Sequence, residues 1–224
     1  MTRARDLADS ADKDITGTLV VDGLTVAGNV SVNSGSIQLD GNFPTGNRNV
    51  AVGNNTFSNI QSGAADNTVV GNSGGNALTT GDKNTSVGST ALDNCQDGKQ
   101  NVAVGHDALK DVTSADRNTA VGANAGSSIT TVNGLTAVGF QSLEDNTTGE
   151  KNVATGYHSM RENITGSNNT AIGYEALRDS TDQSNNVAIG QSVMVTATGS
   201  GNTTAVGATA GFSLTTGDNN TLIS

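Results

Sequence analysis

The sequence predicts an all-β fold: a repetitive β-solenoid (β-roll) rod with 17-residue coils, preceded by a short β-rich neck. Three observations carry this expectation. A glycine recurs at a fixed period, a short apolar phrase precedes it each time, and the chain holds too few large apolar residues for an ordinary globule.

The period comes first. Glycines stand at Gly71, Gly88, Gly105, Gly122, Gly139, Gly156, Gly173, Gly190 and Gly207, each 17 residues apart, and Gly53 precedes them with one extra residue. Each closes the same phrase, as in Asn101-Val-Ala-Val-Gly105, Asn118-Thr-Ala-Val-Gly122 and Asn169-Thr-Ala-Ile-Gly173. The residue before the glycine is Val or Ile in every unit except one, where Thr155 stands. Only 33% of the residues are hydrophobic, 3% are aromatic and Trp is absent, a composition that disorder could share. Low-complexity sequence does not keep Val or Ile in phase across ten units, so the reading is an ordered repeat.

Three regions follow in order. Residues 1–14 are short and charged, with Arg3, Arg5, Asp6 and Asp9 around Leu7. They read either as a solvated, frayed terminus or as a docking peptide that anchors the rod to something larger. Residues 15–45 alternate Leu, Val or Ile with Thr, Ser or Asp, as in Thr18-Leu-Val-Val-Asp22 and Asn29-Val-Ser-Val-Asn33. Punctuated by Gly17, Gly23, Gly28 and Gly35, this is a neck of short strands and tight turns, ended by the sole proline, Pro44.

Residues 46–224 are the array. Four positions before the glycine lies a column of asparagines: Asn49, Asn67, Asn84, Asn101, Asn118, Asn152, Asn169, Asn186 and Asn220, broken by Leu135 and Thr203. Two before it is mostly Ala, and three after it is a small residue such as Ala91, Ala108 or Ser142. Four after it is Leu, Met or Phe, with Gly75, Gly126 and Gly211 as exceptions. A polar loop with a Thr/Asp-Gly turn, as at Asp97-Gly98, completes the unit. The coil has room for two short strands and a loop. Alternation sends the Val/Thr and Val/Ile positions to one side and the Ala and Gly positions to the other. The larger residues are expected to fill a narrow interior, leaving the Ala/Gly side small enough for a neighbouring backbone to approach. Ten coils at about 4.8 Å each give a rod of roughly 50 Å. Its core is thin, and a wet Ala/Gly side is best hidden by packing several copies around a common axis.

The phrase Asn169-Thr-Ala-Ile-Gly173 followed by Tyr174-Glu-Ala-Leu177 resembles the repeats of bacteriophage tail fibres and related appendage proteins. The Ala-Val-Gly and Ala-Ile-Gly phrases are also similar to head repeats of trimeric autotransporter adhesins. The resemblance spans residues 46–224 and implies a homotrimer, a virion location after assembly in the host cytoplasm, and a role in host adhesion. It also makes residues 1–14 the expected virion anchor, with Arg3, Arg5, Asp6, Leu7 and Asp9 contacting other virion proteins. The N-terminus lacks the apolar run of about 7–15 residues that a secretory signal needs, which favours a phage protein over an autotransporter. Ser224 falls where an eleventh glycine would stand. Two alternatives remain: an adhesin whose Phe140, Tyr157 and Tyr174 contact host surface glycans, and an ice-binding solenoid.

Little in the sequence suggests chemistry. The net charge is −10 with 11 scattered basic residues, which argues against nucleic acid and anionic lipid as partners. No stretch approaches the roughly 18 apolar residues of a membrane span. His106 and His158 lack metal-ligand spacing, Cys95 is alone and reads as an inert loop residue, and no nucleophile–base group appears. The glycines do not follow phosphate-loop spacing. The chain is therefore expected to be non-enzymatic and to need no cofactor or metal. The Asn column is expected to bond from turn to turn, with glycan binding as a weaker reading. Sequons at Asn54, Asn146 and Asn163 are compositional.

Overall fold

The computed structural model describes residues 41–43, 46–61, 63–199 and 201–224. The anchor residues 1–14 and most of the neck lie outside the described residues. Twelve strands form one sheet in chain order: β1 (Gly41–Phe43), β2 (Gly46–Val52), β3 (Thr68–Val70), β4 (Thr85–Val87), β5 (Val102–Val104), β6 (Thr119–Val121), β7 (Thr136–Val138), β8 (Val153–Thr155), β9 (Thr170–Ile172), β10 (Val187–Ile189), β11 (Thr204–Val206) and β12 (Thr221–Ile223). From β2 onward every neighbour is parallel, and each strand is the apolar phrase of the next coil. Thr119 pairs with Thr136, Ala120 with Ala137 and Val121 with Val138, so the sequence period is the sheet register. β1 pairs antiparallel with the start of β2, Gly41 opposite Asn49 and Phe43 opposite Gly46, ahead of the Val50–Val52 segment that joins the parallel array. This is a β-solenoid with about one strand per coil and no helix among the described residues.

Two expectations need correction. The first concerns strand count: each coil has one short strand, not two. The rest of the coil is a run of turns because several residues per coil adopt left-handed backbone, for example Asp107 (φ 56°), Leu109 (φ 49°) and Arg117 (φ 59°). These reversals re-aim successive peptide groups, so hydrogen bonds run between coils in both directions. The Gly122 amide donates back to Val104 O at 2.7 Å, whereas the Leu109 amide donates forward to Ala125 O at 3.0 Å. The turns are thereby satisfied coil against coil, as a sheet would be.

The second correction concerns the faces, which are inverted. Ala120 at the centre of β6 is fully buried, while Val121 beside it keeps 38% of its surface exposed. The Ala positions point inward throughout and the Val/Ile positions point outward. The reason lies across the coil. The interior is already filled by the column four after the glycine (Leu92, Leu109, Leu143, Met160, Leu177, Met194), all fully or almost fully buried. Only a small residue fits against it.

A third interior column sits seven after the glycine: Leu78, Cys95, Val112, Ile129, Asn146, Asn163, Ser180 and Ala197. Cys95 therefore lies in the turn segment of its coil, as expected, but its side chain is fully buried in the core.

The core fills by exchange between columns. Gly75, Gly126 and Gly211 replace the large residue of their coils, and in each case a neighbour is enlarged. A Cβ on Gly126 would lie 2.6 Å from Ile129 Cδ1, one on Gly211 2.8 Å from Leu222 Cδ1, and one on Gly75 3.2 Å from Val69 Cγ2. Val69 and Leu222 stand where the other coils carry Ala, or Ser in the case of Ser86. The space left by a glycine in one column is thus taken by a side chain from another.

Candidate functional site

The phase glycines are structural. Each has φ between +120° and +149°, and the carbonyl of the next glycine in the column lies directly against it. Gly53, Gly71, Gly88, Gly105, Gly139, Gly156, Gly173 and Gly190 repeat this arrangement, and Ser224 supplies the carbonyl beside Gly207. A side chain has no room there, so the column marks the place where successive coils touch backbone to backbone.

The asparagines form the expected ladder inside the roll. Asn101 Nδ2 donates to Ala115 O at 2.7 Å, and its Oδ1 accepts the Asn118 amide at 2.9 Å. Asn84 Oδ1 in turn accepts the Asn101 amide at 2.9 Å. The pattern repeats from Asn49 through Asn67 to Asn118, stops at Leu135, and resumes from Asn152 through Asn169 to Asn186 and Thr203. These side chains are fully or almost fully buried. They join coils and offer nothing to a glycan. Asn146 and Asn163 are equally buried, so neither presents a glycosylation acceptor, and Asn163 Nδ2 donates to Asn146 Oδ1 at 2.6 Å.

Titratable groups do not converge. Among the described residues no group of three His, Cys, Asp or Glu side chains could hold a metal ion. His106 is exposed and its Nδ1 lies 3.2 Å from Asp107 Oδ2. His158 is half-buried and stacks on Tyr157; burial, then the Arg161 charge, holds its pKa below the ordinary value. Burial pushes the Cys95 thiol up to about 12, which suppresses the thiolate at neutral pH. A shallow groove lined by Asp82, Lys99, Asp116 and Arg117 contains the Lys99–Asp82 ion pair at 3.2 Å. No described helix is long and apolar enough to cross a membrane.

What distinguishes the surface is its outward sheet face. Three columns build it: three before the glycine (Val50, Thr68, Thr85, Val102 and onward), one before it (Val52 to Ile223), and one after it. Apart from His106, which follows Gly105, none of these positions carries an acidic or basic residue in any coil. The column after the glycine holds Phe140, Tyr157 and Tyr174 in three consecutive coils, each with over 40% of its surface exposed. Their rings stack along the axis, with centroids 5.4 Å apart from Phe140 to Tyr157 and 5.3 Å from Tyr157 to Tyr174. Such a ladder brings large apolar ring faces and two phenol hydroxyls together on one exposed strip.

Ion pairs border the ladder. Arg161 Nε donates to Glu144 Oε2 at 2.9 Å, and Arg178 bridges Glu175 and Asp179. The sequence suggested the three aromatics as contact residues, and the coil brings them together. Their continuity with the Val/Ile column was hidden, because those residues were expected inside. Comparison with protein-family models, with characterised proteins and with solved structures finds no match to this chain.

Proposed function

We propose that this chain is the shaft of a phage tail fibre or similar virion appendage: non-enzymatic, homotrimeric, joined to the particle through its N-terminus and serving host adhesion. The observation that best supports the reading is the unbroken parallel register from β2 to β12, in which every coil repeats the same backbone contact. A scaffold of this kind spaces and presents surfaces along one axis. Its interior is filled by its own side chains. The test is deletion of residues 1–14 in the phage genome: folded shafts should accumulate in lysates while virions lack them. Virions that still carry the shortened chain would rule out the N-terminal anchor.

A second reading, a glycan-binding adhesin, is favoured by the exposed ladder of Phe140, Tyr157 and Tyr174. Binding of the isolated protein to whole cells, lost in a Tyr157→Ala variant, would support it. Unchanged binding in that variant would remove the ladder from the adhesion reading.

A further inference from the structure

We infer that the outward Val/Ile face, anchored by the Phe140–Tyr157–Tyr174 ladder, is the surface on which a second copy of this chain docks. The inference rests on the homotrimeric reading above and names the surface the copies share. The Ala side, which sequence reasoning offered as the shared surface, is already buried within one chain. The side left without a partner is the one bearing Val52, Val70, Val87, Val121, Ile172, Ile189 and Val206.

Charge argues for a copy of the same chain. The protein carries a net charge of −10, so two copies repel wherever their charged columns meet. The three outward columns hold no Asp, Glu, Lys or Arg from Val50 to Ile223, with His106 their one titratable side chain other than the two tyrosines, a strip along which that repulsion is least. Size agrees. Eleven parallel strands at about 4.8 Å, by a width of about four residues, give roughly 700 Å² per copy, close to the ~800 Å² of a standard stable interface.

Period argues further. A second copy presents rows at the same spacing, so side chains can interdigitate along the whole length, whereas a foreign partner would match only locally. Exposed aromatics within the strip, at coils following β7, β8 and β9, supply the large rigid side chains that dominate interface affinity.

The test uses the full chain and measures solution mass by light scattering after size exclusion, with far-ultraviolet circular dichroism to check folding. The wild-type protein should run near three times its 22.4 kDa chain mass. The double variant V121E/I172E should run as a folded single chain. The control S114E/T165E adds the same charge to an exposed column that already holds Asp97 and Asp182, and should stay assembled. If V121E/I172E remains assembled, the face is wrong while the self-assembly reading stands. If the wild-type protein is a monomer at every concentration, self-assembly itself fails, and a shift of its tyrosine emission on adding chitohexaose would assign the ladder to a saccharide. Should V121E/I172E lose its dichroism signal, V121T/I172T replaces it, since this column already tolerates Thr155. Its association should weaken at least about tenfold, and unchanged association would overturn the inference.

Discussion

A methyl group added to Gly122 would lie 2.3 Å from the carbonyl oxygen of Gly139, one coil away. The two glycines approach so closely because Gly122 sits at φ +137°, a conformation that side-chain-bearing residues rarely adopt. One residue type therefore fixes both the corner of each coil and the distance to the next.

Gly122→Ala should destabilise the solenoid by more than ~3 kcal/mol, measured by urea unfolding, because strain and clash act together. Gly134 provides the contrast. Its φ of +71° resembles that of Asn168, Asn185 and Asn202 in the same column, and a Cβ there meets nothing within 4 Å. Gly134→Asn should leave stability unchanged or raise it by up to about 1 kcal/mol, by restricting the unfolded chain.

Asn101→Ala should cost about 2–4 kcal/mol in the same assay. It strands the Asn118 amide and the Ala115 carbonyl inside the roll, and a buried group without a partner bears its full desolvation penalty. Ser114→Ala, at an exposed position outside the ladder, should change stability by less than about 0.5 kcal/mol.

Gly126→Leu should destabilise by roughly 1–3 kcal/mol through overpacking against Ile129. The backbone is not the obstacle, because Leu109 and Leu143 adopt the same left-handed conformation in other coils. Adding Ile129→Ala should recover part of the loss, giving a double-mutant coupling of about 1 kcal/mol or more. Additive effects would contradict the exchange of volume between columns.

Asp93 tests the pH dependence. Burial raises its carboxyl pKa above the ordinary value, and its Oδ1 is buried without a hydrogen-bond partner. The unfolded chain ionises this group at lower pH than the folded chain does. Its contribution is therefore most favourable below the ordinary carboxylate pKa and is lost as pH rises from there through the folded value. Asp93→Asn removes the charge at constant shape. Thermal melts should show a higher Tm than wild type at pH 7, and the difference should shrink toward about pH 3.

The Cys95 thiol should resist labelling by a disulfide reagent at pH 8 in the native state and react fully in denaturant. It is fully buried, with its pKa pushed up to about 12. The folded state holds the proton that the unfolded chain releases near its ordinary value of 9.0, so this group also removes stability as pH climbs from there toward 12. Rapid native labelling would contradict its place between Leu78 and Val112.

Much of the fold was legible because the repeat is covalent information. The 17-residue spacing of Gly105, Gly122 and Gly139 is the strand register, and the Asn column became a ladder because residues in phase must stack. The column containing Cys95, Val112 and Ile129 was harder to see, since Asn146, Asn163 and Ser180 occupy the same positions and mask its apolar character. These polar residues lie inside because they bond locally: Asn146 Nδ2 donates to Gly149 O at 3.0 Å, and Ser180 Oγ to Gln183 Oε1 at 2.7 Å. No pattern of hydropathy announces such pairing.

The sequence by itself determined the coil length, the parallel stacking and which residues share a column. Tertiary structure alone decided which way each column faces. Alternation along a three-residue strand is symmetric with respect to inside and outside, and size favoured Val and Ile as the core. The answer depended on what lies across the coil, where Leu109, Leu143 and Leu177 already occupy the interior and leave space only for Ala103, Ala137 and Ala171. With the core filled from the turn side, the β-branched residues of the strand were left outward, forming an uncharged face along the solenoid.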